Sequence, residues 1–284
     1  MSSNLGSPNP IQPLNIGDIV TGGFRLYRSH IKDYFFIALK AYAWVIVPIY
    51  GWAKFYALSA LISRLCFGEL VNQPEDIKSG QNFVNSRLGQ FLVQMLLMSL
   101  IGIGIILGFS IVFGLIGAVI GGIIAGLAQN SNAVQILVSV LLGIIVFAAF
   151  LIGLFWVFTR FYLVDVPLAV EDNASATSAI SRSWELTKGN IWRIFGVMLI
   201  AFLITLPLQI VVQVIVTILQ IVFIPLMEQN SGLFSLLYIV LVFSISFSSG
   251  AVILPFWQAI KATIYYDLRS RQEGLGLRLR DHEI

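Results

Sequence analysis

The sequence predicts an all-α protein, a polytopic membrane helix bundle with four long spans, an N-terminal short or re-entrant helical hairpin and cytoplasmic amphipathic helices. Residues 88–159 contain no Asp, Glu, Lys, Arg or His, and the same holds for 194–227 and 229–260. A helix crosses about 30 Å of hydrocarbon with roughly 20 apolar residues. The chain is 58% hydrophobic and only 11% charged, as expected where charge must be kept out of lipid.

The N-terminus, residues 1–15, is predicted to be a disordered polar arm. It carries no positive charge and no apolar stretch, so it does not match a secretory signal peptide. The membrane domain is predicted over 16–264, and residues 265–284 are predicted to form a basic cytoplasmic tail.

The segment 34–66 is interpreted as a helical hairpin. Basic residues precede and follow it: Arg25, Arg28, Lys32, Lys78 and Arg87. Because cytoplasmic segments are enriched in Lys and Arg, both flanks are assigned to the same side. The chain must then enter and return, turning near Pro48 and Gly51. Each half is short, since residues 34–47 rise only about 21 Å as a helix. A single proline-kinked helix is the alternative interpretation.

Four long membrane helices are predicted within the uncharged runs: 88–128, 133–159, 191–225 and 233–264. The first would be about 60 Å long as one helix. It must therefore tilt and extend beyond the bilayer, or break at one of its many glycines.

The orientation follows from the connecting segments. The linkers 129–132 and 227–232 contain no Lys or Arg, whereas the opposite ends are basic. Those basic residues are Arg160, Arg182, Lys188, Arg193, Lys261, Arg269, Arg271, Arg278 and Arg280. The positive-inside rule assigns them and both chain termini to the cytoplasm. Trp156 and Trp192 then fall at the cytoplasmic interface, where indole rings are enriched.

Three stretches follow a similar pattern, in which a short amphipathic helix precedes a membrane hairpin. We interpret them as three repeats, 16–66, 74–159 and 173–264, whose short helices lie in the headgroup plane with the apolar face toward lipid. The alternative is that they are ordinary amphipathic connectors.

The segment 160–196 carries the most distinctive motif. Its residues are Pro167, Glu171, Ala179, Arg182-Ser183-Trp184, Leu186-Thr187-Lys188-Gly189 and Trp192-Arg193. This pattern resembles the membrane domain of glycerophosphodiester-phosphodiesterase-like proteins and related uncharacterised multi-pass membrane proteins. The stretches IGDIVTGGFRLYRSHIKDYF and IYYDLRSRQEG are similar to the ends of the same family. The resemblance implies a helical membrane domain. The enzyme chemistry of that family belongs to a separate soluble barrel of about 250 residues, for which this sequence has no matching pattern.

A polar stripe runs along one face of the third long helix: Thr205, Gln209, Gln213, Thr217 and Gln220. The last helix offers Ser244 and Ser248. Amides in hydrocarbon need hydrogen-bond partners, so the stripe is interpreted either as interhelical contacts or as a polar pathway for a solute or headgroup. Pro207 is expected to break the helix, as in the broken helices of transporters.

Four basic residues are candidate lipid-headgroup contacts: Lys40, Lys54, Arg269 and Arg271. The two lysines lie within the predicted hairpin, where the alternative is that their stems extend to an interface. The two arginines lie in the tail, which could rest on anionic lipid. Arg160 and Asp165 are predicted to form an interfacial ion pair, and Glu228 is a candidate partner of Lys54.

Small-residue strips in the first long helix, such as Gly104-xxx-Gly108 and Gly117-xxx-Gly121, permit close helix contact. They indicate either packing within the monomer or a dimer seam.

No catalytic, cofactor or metal site is predicted. Cys66 is the single cysteine, and His30 and His282 are far apart in sequence. We therefore expect a protein that is not an enzyme, with membrane lipids, other membrane proteins or a second copy as partners and no nucleic acid. The expected function is a scaffold or assembly partner of other membrane components. The alternative is a transporter or lipid-handling protein that uses the polar stripe.

Overall fold

A computed structural model describes residues 14–127, 133–228 and 232–274. Most of the predicted N-terminal arm, the 129–132 linker and the end of the tail lie outside these residues. The described residues form ten helices: α1 (Ile16–Ser29), α2 (Ile31–Trp44), α3 (Tyr50–Leu70), α4 (Ile77–Ser86), α5 (Leu88–Leu127), α6 (Ala133–Arg160), α7 (Asp165–Val170), α8 (Ala176–Thr187), α9 (Ile191–Glu228) and α10 (Gly232–Glu273).

This architecture confirms the all-α prediction. No strand occurs within the described ranges, and four of the helices there are long and apolar enough to cross a membrane: α5, α6, α9 and α10. They coincide with the four uncharged segments. The positions of these helices could therefore be predicted from one signal. Each contains a stretch without charged residues that is much longer than a soluble helix requires.

The hairpin interpretation of residues 34–66 is also confirmed. Helices α2 and α3 pack against each other and are joined by a turn in which Ile49 adopts a positive φ of 62°. Gly51 lies against the carbonyl oxygen of Trp44, with no room for a Cβ atom between the two helices. The close approach of two backbones therefore depends on glycine at this position.

Each long helix is continuous. α5 runs without a break from Leu88 to Leu127, so the alternative of a break at one of its glycines is wrong. The expected break at Pro207 is wrong, because α9 continues through both Pro207 and Pro225. A proline removes one N–H from the helix ladder, and in these long apolar helices the bonds on either side maintain the helical path.

Most buried residues lie at one end of the molecule. There α1 to α4, α7, α8 and residues 251–273 of α10 surround an apolar core, which we call the basal cluster. Its largest fully buried side chains include Tyr34, Leu61, Leu163, Ile260 and Tyr265. By contrast, none of the most apolar 18-residue stretch of α5 or of α6 is buried. The most apolar stretches of the four long helices therefore leave nearly all of their side chains open to their surroundings.

The short helices α1, α4 and α8 bury their apolar residues against protein. In α1, Ile19 and Val20 are buried, and a Cβ atom on Gly23 would lie 2.6 Å from Cδ1 of Ile260 in α10. In α4, a Cβ atom on Gly80 would lie 2.7 Å from Cδ1 of Leu61 in α3. For α1 and α4 the expectation that these faces lie on lipid is therefore corrected, because neighbouring helices of the basal cluster cover them, whereas Trp184 of α8 is exposed.

Candidate functional site

Asp267 forms the centre of a buried ionic network in the basal cluster. Only 2% of its side chain is exposed. It accepts hydrogen bonds from Nη1 of Arg193 at 2.6 Å, from Nε of Arg271 at 3.0 Å and from the backbone N–H of Leu14 at 3.0 Å. Both arginines also donate to the carbonyl oxygen of Leu14. One carboxylate thus joins the start of α9, the end of α10 and the segment before α1.

Glu171 and Glu273 form a second network. Oε1 of Glu171 accepts from Nε of Arg182 at 3.2 Å and from the hydroxyl of Tyr265 at 2.6 Å. Arg182 also pairs with Glu273, which receives Arg269 at 2.9 Å. Burial lowers the pKa of Arg182, but the charges of Glu171 and Glu273 raise it by more, so the net shift is upward. The charged guanidinium is therefore stabilised between two carboxylates.

Arg64 connects α3 to the segment before α4 and to α7. Its Nε lies 2.5 Å from Oε2 of Glu75, and its Nη1 donates to the carbonyl of Ala169 at 2.8 Å. Arg87 donates to the carbonyl of Glu171 at 2.7 Å. The ring of Phe83 lies 3.7 Å from the Arg64 guanidinium carbon and 4.3 Å from that of Arg87. Both cations are therefore stabilised by an aromatic face as well as by oxygen acceptors.

This geometry predicts that the Glu75 contribution to stability depends on pH. Burial raises the pKa of Glu75, but hydrogen bonds from Arg64 and Ser79 and the charge of Arg64 lower it by more, so it lies below 4.5. A carboxyl group with a depressed folded pKa stabilises the fold above its unfolded pKa and loses this effect as pH falls through the folded pKa. Glu75→Gln should therefore cost about 1 kcal/mol at pH 7 and progressively less below pH 4.5.

Thermal unfolding of the wild-type protein and of the Glu75→Gln variant in mild detergent, between pH 7 and pH 3.5, measures this difference. Glu185→Gln is the matched control, because Glu185 is exposed and no ion pair of it occurs within the described residues. A Glu75→Gln effect that stays constant over this range would contradict the assigned role.

The predicted ion pair between Arg160 and Asp165 is wrong. Asp165 instead binds Lys261 of α10, whose Nζ lies 2.9 Å from both carboxylate oxygens. Arg160 donates to the carbonyl of Trp184 at 3.0 Å. Its guanidinium carbon lies 5.1 Å from the ring centre of Trp156 and 4.8 Å from that of Trp184. The turn between α6 and α7 directs the two side chains toward different helices, so closeness in sequence did not produce a contact.

The four candidate headgroup residues occupy different environments. Lys54 donates to Oδ1 of Asn85 at 2.7 Å and lies 5.9 Å from the ring of Trp44, so the suggested contact with Glu228 is corrected. Lys40 is exposed on α2. Arg269 and Arg271 are both engaged in ion pairs within α10. Of the four, Lys40 has the side chain most open to an external anion.

The polar stripe of α9 faces outward along most of its length. Thr205 is buried and accepts a hydrogen bond from Nε2 of Gln209 at 3.2 Å, while Gln213, Thr217 and Gln220 are exposed. In α10, Ser244 bonds to the carbonyl of its own helix, and Ser248 is exposed. Within the described residues no hydrogen bond joins the stripe to these serines. The stripe therefore lines an outer surface of the monomer.

The glycine strips of α5 are likewise unpacked in the monomer. A Cβ atom on Gly104, Gly108, Gly117 or Gly121 would meet no atom within 4 Å. Between α5 and α6 lies an open groove of about 620 Å³, whose lining includes Gly117, Gly121 and Gly143. Helices lined by small residues can approach each other closely in a membrane, so this groove has the shape and lining to receive another apolar helix.

The described residues offer few side chains that are arranged to bind a metal ion. In the part of the chain that the structure describes, no group of three or more His, Cys, Asp or Glu side chains is placed to hold a metal ion. Cys66 is fully buried in α3.

Sequence analysis did not single out Asp267, Glu273 or Glu75, although they hold the networks together. For their partners Arg182 and Arg193, a signal was available in the balance of charge. Residues 160–193 contain four acidic and four basic side chains. A connector with as many acids as bases is better suited to internal pairing than to binding anionic lipid. The motif residues Glu171, Arg182 and Arg193 all belong to the two networks, which gives that pattern a structural reason.

Comparison with known proteins places the chain in a family. The model of a domain of unknown function, DUF7847, matches residues 80–268, about two thirds of the sequence. No curated protein matches the chain, and no solved structure does. The match covers the distinctive segment 160–196 and carries no link to the phosphodiesterase-like proteins. The chain therefore belongs to the DUF7847 family, whose shared domain has no known function.

Proposed function

We propose that this chain is an integral membrane protein that acts without catalysis, as a scaffold or assembly partner of other membrane components. The observation that supports this most strongly is the contrast between its two parts. Charged groups of the basal cluster pair with one another, whereas the most apolar stretches of the four long helices remain open. A rigid base that holds open apolar helices is suited to binding other helices.

The physical basis is the packing of helices in lipid. Because lipid tails are as apolar as leucine, membrane helices associate through close packing and interhelical hydrogen bonds. The open strips on α5 offer the first, and the exposed amides of α9 offer the second. Membrane lipids would cover whatever surface the partners leave free.

The orientation and domain organisation are part of the proposal. Both termini are assigned to the cytoplasm, because basic residues of the connectors and of the end of α10 pair within the basal cluster, among them Arg182, Arg193 and Arg271. The three proposed repeats correspond to α1 with α2–α3, α4 with α5–α6, and α8 with α9–α10. The resemblance of segment 160–196 to the membrane domain of phosphodiesterase-like proteins supports an accessory role, since catalysis in that family belongs to a separate domain.

Lipid handling is the second candidate, and Lys40 supports it. This lysine is exposed and close enough to Lys54 for their charges to interact. Two neighbouring cations near a membrane interface suit a phosphate headgroup. Transport along the polar stripe has less support, because in the described part of the chain no second helix covers Gln213 or Gln220.

Native mass spectrometry of the protein extracted in mild detergent tests the assembly role. We expect a complex with another integral membrane protein or a second copy, held in a fixed ratio. Gly121→Leu, which fills the groove, should at least halve the fraction in complex. Gly89→Leu is the matched control, because Gly89 lies on the same helix outside both the groove lining and the glycine strips, and its Cβ atom would meet nothing within 4 Å. A monomer that carries only lipid would contradict the proposal.

A further inference from the structure

Three amides of α9, which we call the glutamine row, lie in a narrow line: Gln209, Gln213 and Gln220. Successive residues of an α-helix are about 100° apart, so all three fall within an arc of about 40°. The row is about 16 Å long at 1.5 Å per residue. All three residues are exposed in the monomer.

These amides cannot avoid the hydrocarbon. Arg193 lies at the base of α9 in the Asp267 network, so the membrane-crossing stretch begins after it. About 20 residues are needed to cross. Every window of this length between Arg193 and Glu228, where α9 ends, contains both Gln209 and Gln213. An unsatisfied amide in hydrocarbon costs several kcal/mol.

The monomer satisfies only a small part of this requirement. Gln209 donates one N–H to Thr205, whereas the side chains of Gln213 and Gln220 form no hydrogen bond to any other residue that the structure describes. Each glutamine amide can donate two hydrogen bonds and accept two. The row therefore presents both donors and acceptors, unpaired, along one edge of a membrane helix.

We propose that a second copy of this chain covers the glutamine row, in a two-fold symmetric dimer whose axis runs along the membrane normal beside Gln213. This deepens the proposed assembly role and rests on it. Two copies inserted with the same topology present identical residues at identical depth, so each amide meets its own counterpart. Because an amide is both donor and acceptor, such a pair can exchange hydrogen bonds, and an isologous interface satisfies the whole row. A different helix would need polar groups at the same spacing.

Disulfide crosslinking in native membranes tests this arrangement. The wild-type chain is its own background, since its single cysteine, Cys66, is fully buried. We expect Gln213→Cys to form a disulfide-linked dimer with copper phenanthroline. Ile215→Cys is the matched control: Ile215 is also exposed, about 3 Å further along and about 200° around the helix. Equal yields at the two positions, or no dimer at either, would overturn the proposed interface.

A photoreactive benzoyl-phenylalanine at position 213 separates this inference from the broader role. An adduct at twice the mass of the chain supports the dimer. An adduct with a different protein overturns self-association and leaves the assembly role in place. Formation of lipid adducts alone overturns both.

The contribution of the amides is measured separately. Replacing the three glutamines by leucine should lower the association constant about 20-fold in lipid vesicles, or about threefold for each of the three amide pairs lost. Fluorescence energy transfer between labelled copies, followed on dilution with lipid, gives this constant. Leucine preserves helix propensity and insertion, and Ile215→Leu provides the control. An unchanged constant in the triple variant would exclude the amides as the source of association.

Discussion

Asp267→Ala is expected to lower the free energy of unfolding by about 3–5 kcal/mol, the usual cost of removing one partner from a buried ion pair. The carboxylate is 2% exposed and accepts from Arg193, Arg271 and the Leu14 N–H. Its removal leaves Arg193 without a carboxylate partner and the Leu14 N–H without an acceptor. The start of α9, the end of α10 and the segment before α1 should then separate.

Unfolding by SDS titration in mixed micelles, followed by tryptophan fluorescence, measures this loss. Glu185→Ala is the control, because Glu185 is exposed, and substitutions at such surface positions usually change stability by less than 0.5 kcal/mol. Similar midpoints for the two variants would show that the network contributes little to the fold.

Gly51→Ala should destabilise the protein by about 3 kcal/mol, at the upper end of the usual range for overpacking. The added Cβ atom would overlap the carbonyl oxygen of Trp44 and lie 2.9 Å from Cβ of Val47. Trp44 ends α2 and Val47 lies in the turn, so both contacts fall where the hairpin reverses direction. We therefore expect α2 and α3 to separate at their tip.

Thermal unfolding in detergent and limited proteolysis near residues 45–50 measure the two consequences, a lower melting temperature and faster cleavage of the turn. Gly104→Ala is the control. Its Cβ atom meets nothing within 4 Å, and alanine favours a helix interior over glycine by about 1 kcal/mol. If Gly51→Ala were as stable as Gly104→Ala, the backbones of α2 and α3 would not depend on glycine for their close approach.

Much of the candidate site could be located from the sequence, but its contacts could not. The motif residues Glu171, Arg182 and Arg193 were recognisable as a pattern, and the structure assigns them to two ionic networks. Arg269 and Arg271 were assigned to lipid because positive residues near a membrane end commonly bind anionic headgroups. In the folded chain they pair with Glu273 and Asp267. The sign of a residue's charge indicates which side of a membrane the residue occupies, but it does not identify the residue's partner.

The sequence by itself determined the helical class and the four long apolar helices, and it favoured the hairpin over a single kinked helix. These features follow from the order of residues along the chain. The absence of charge and the 1.5 Å rise per residue together show which stretches are apolar and long enough to cross a bilayer. Only the tertiary structure decided that Asp165 binds Lys261 rather than Arg160, that α9 continues through Pro207, and that protein covers the faces of α1 and α4. Such outcomes depend on how helices are rotated against each other, and neighbours in space then differ from neighbours in sequence.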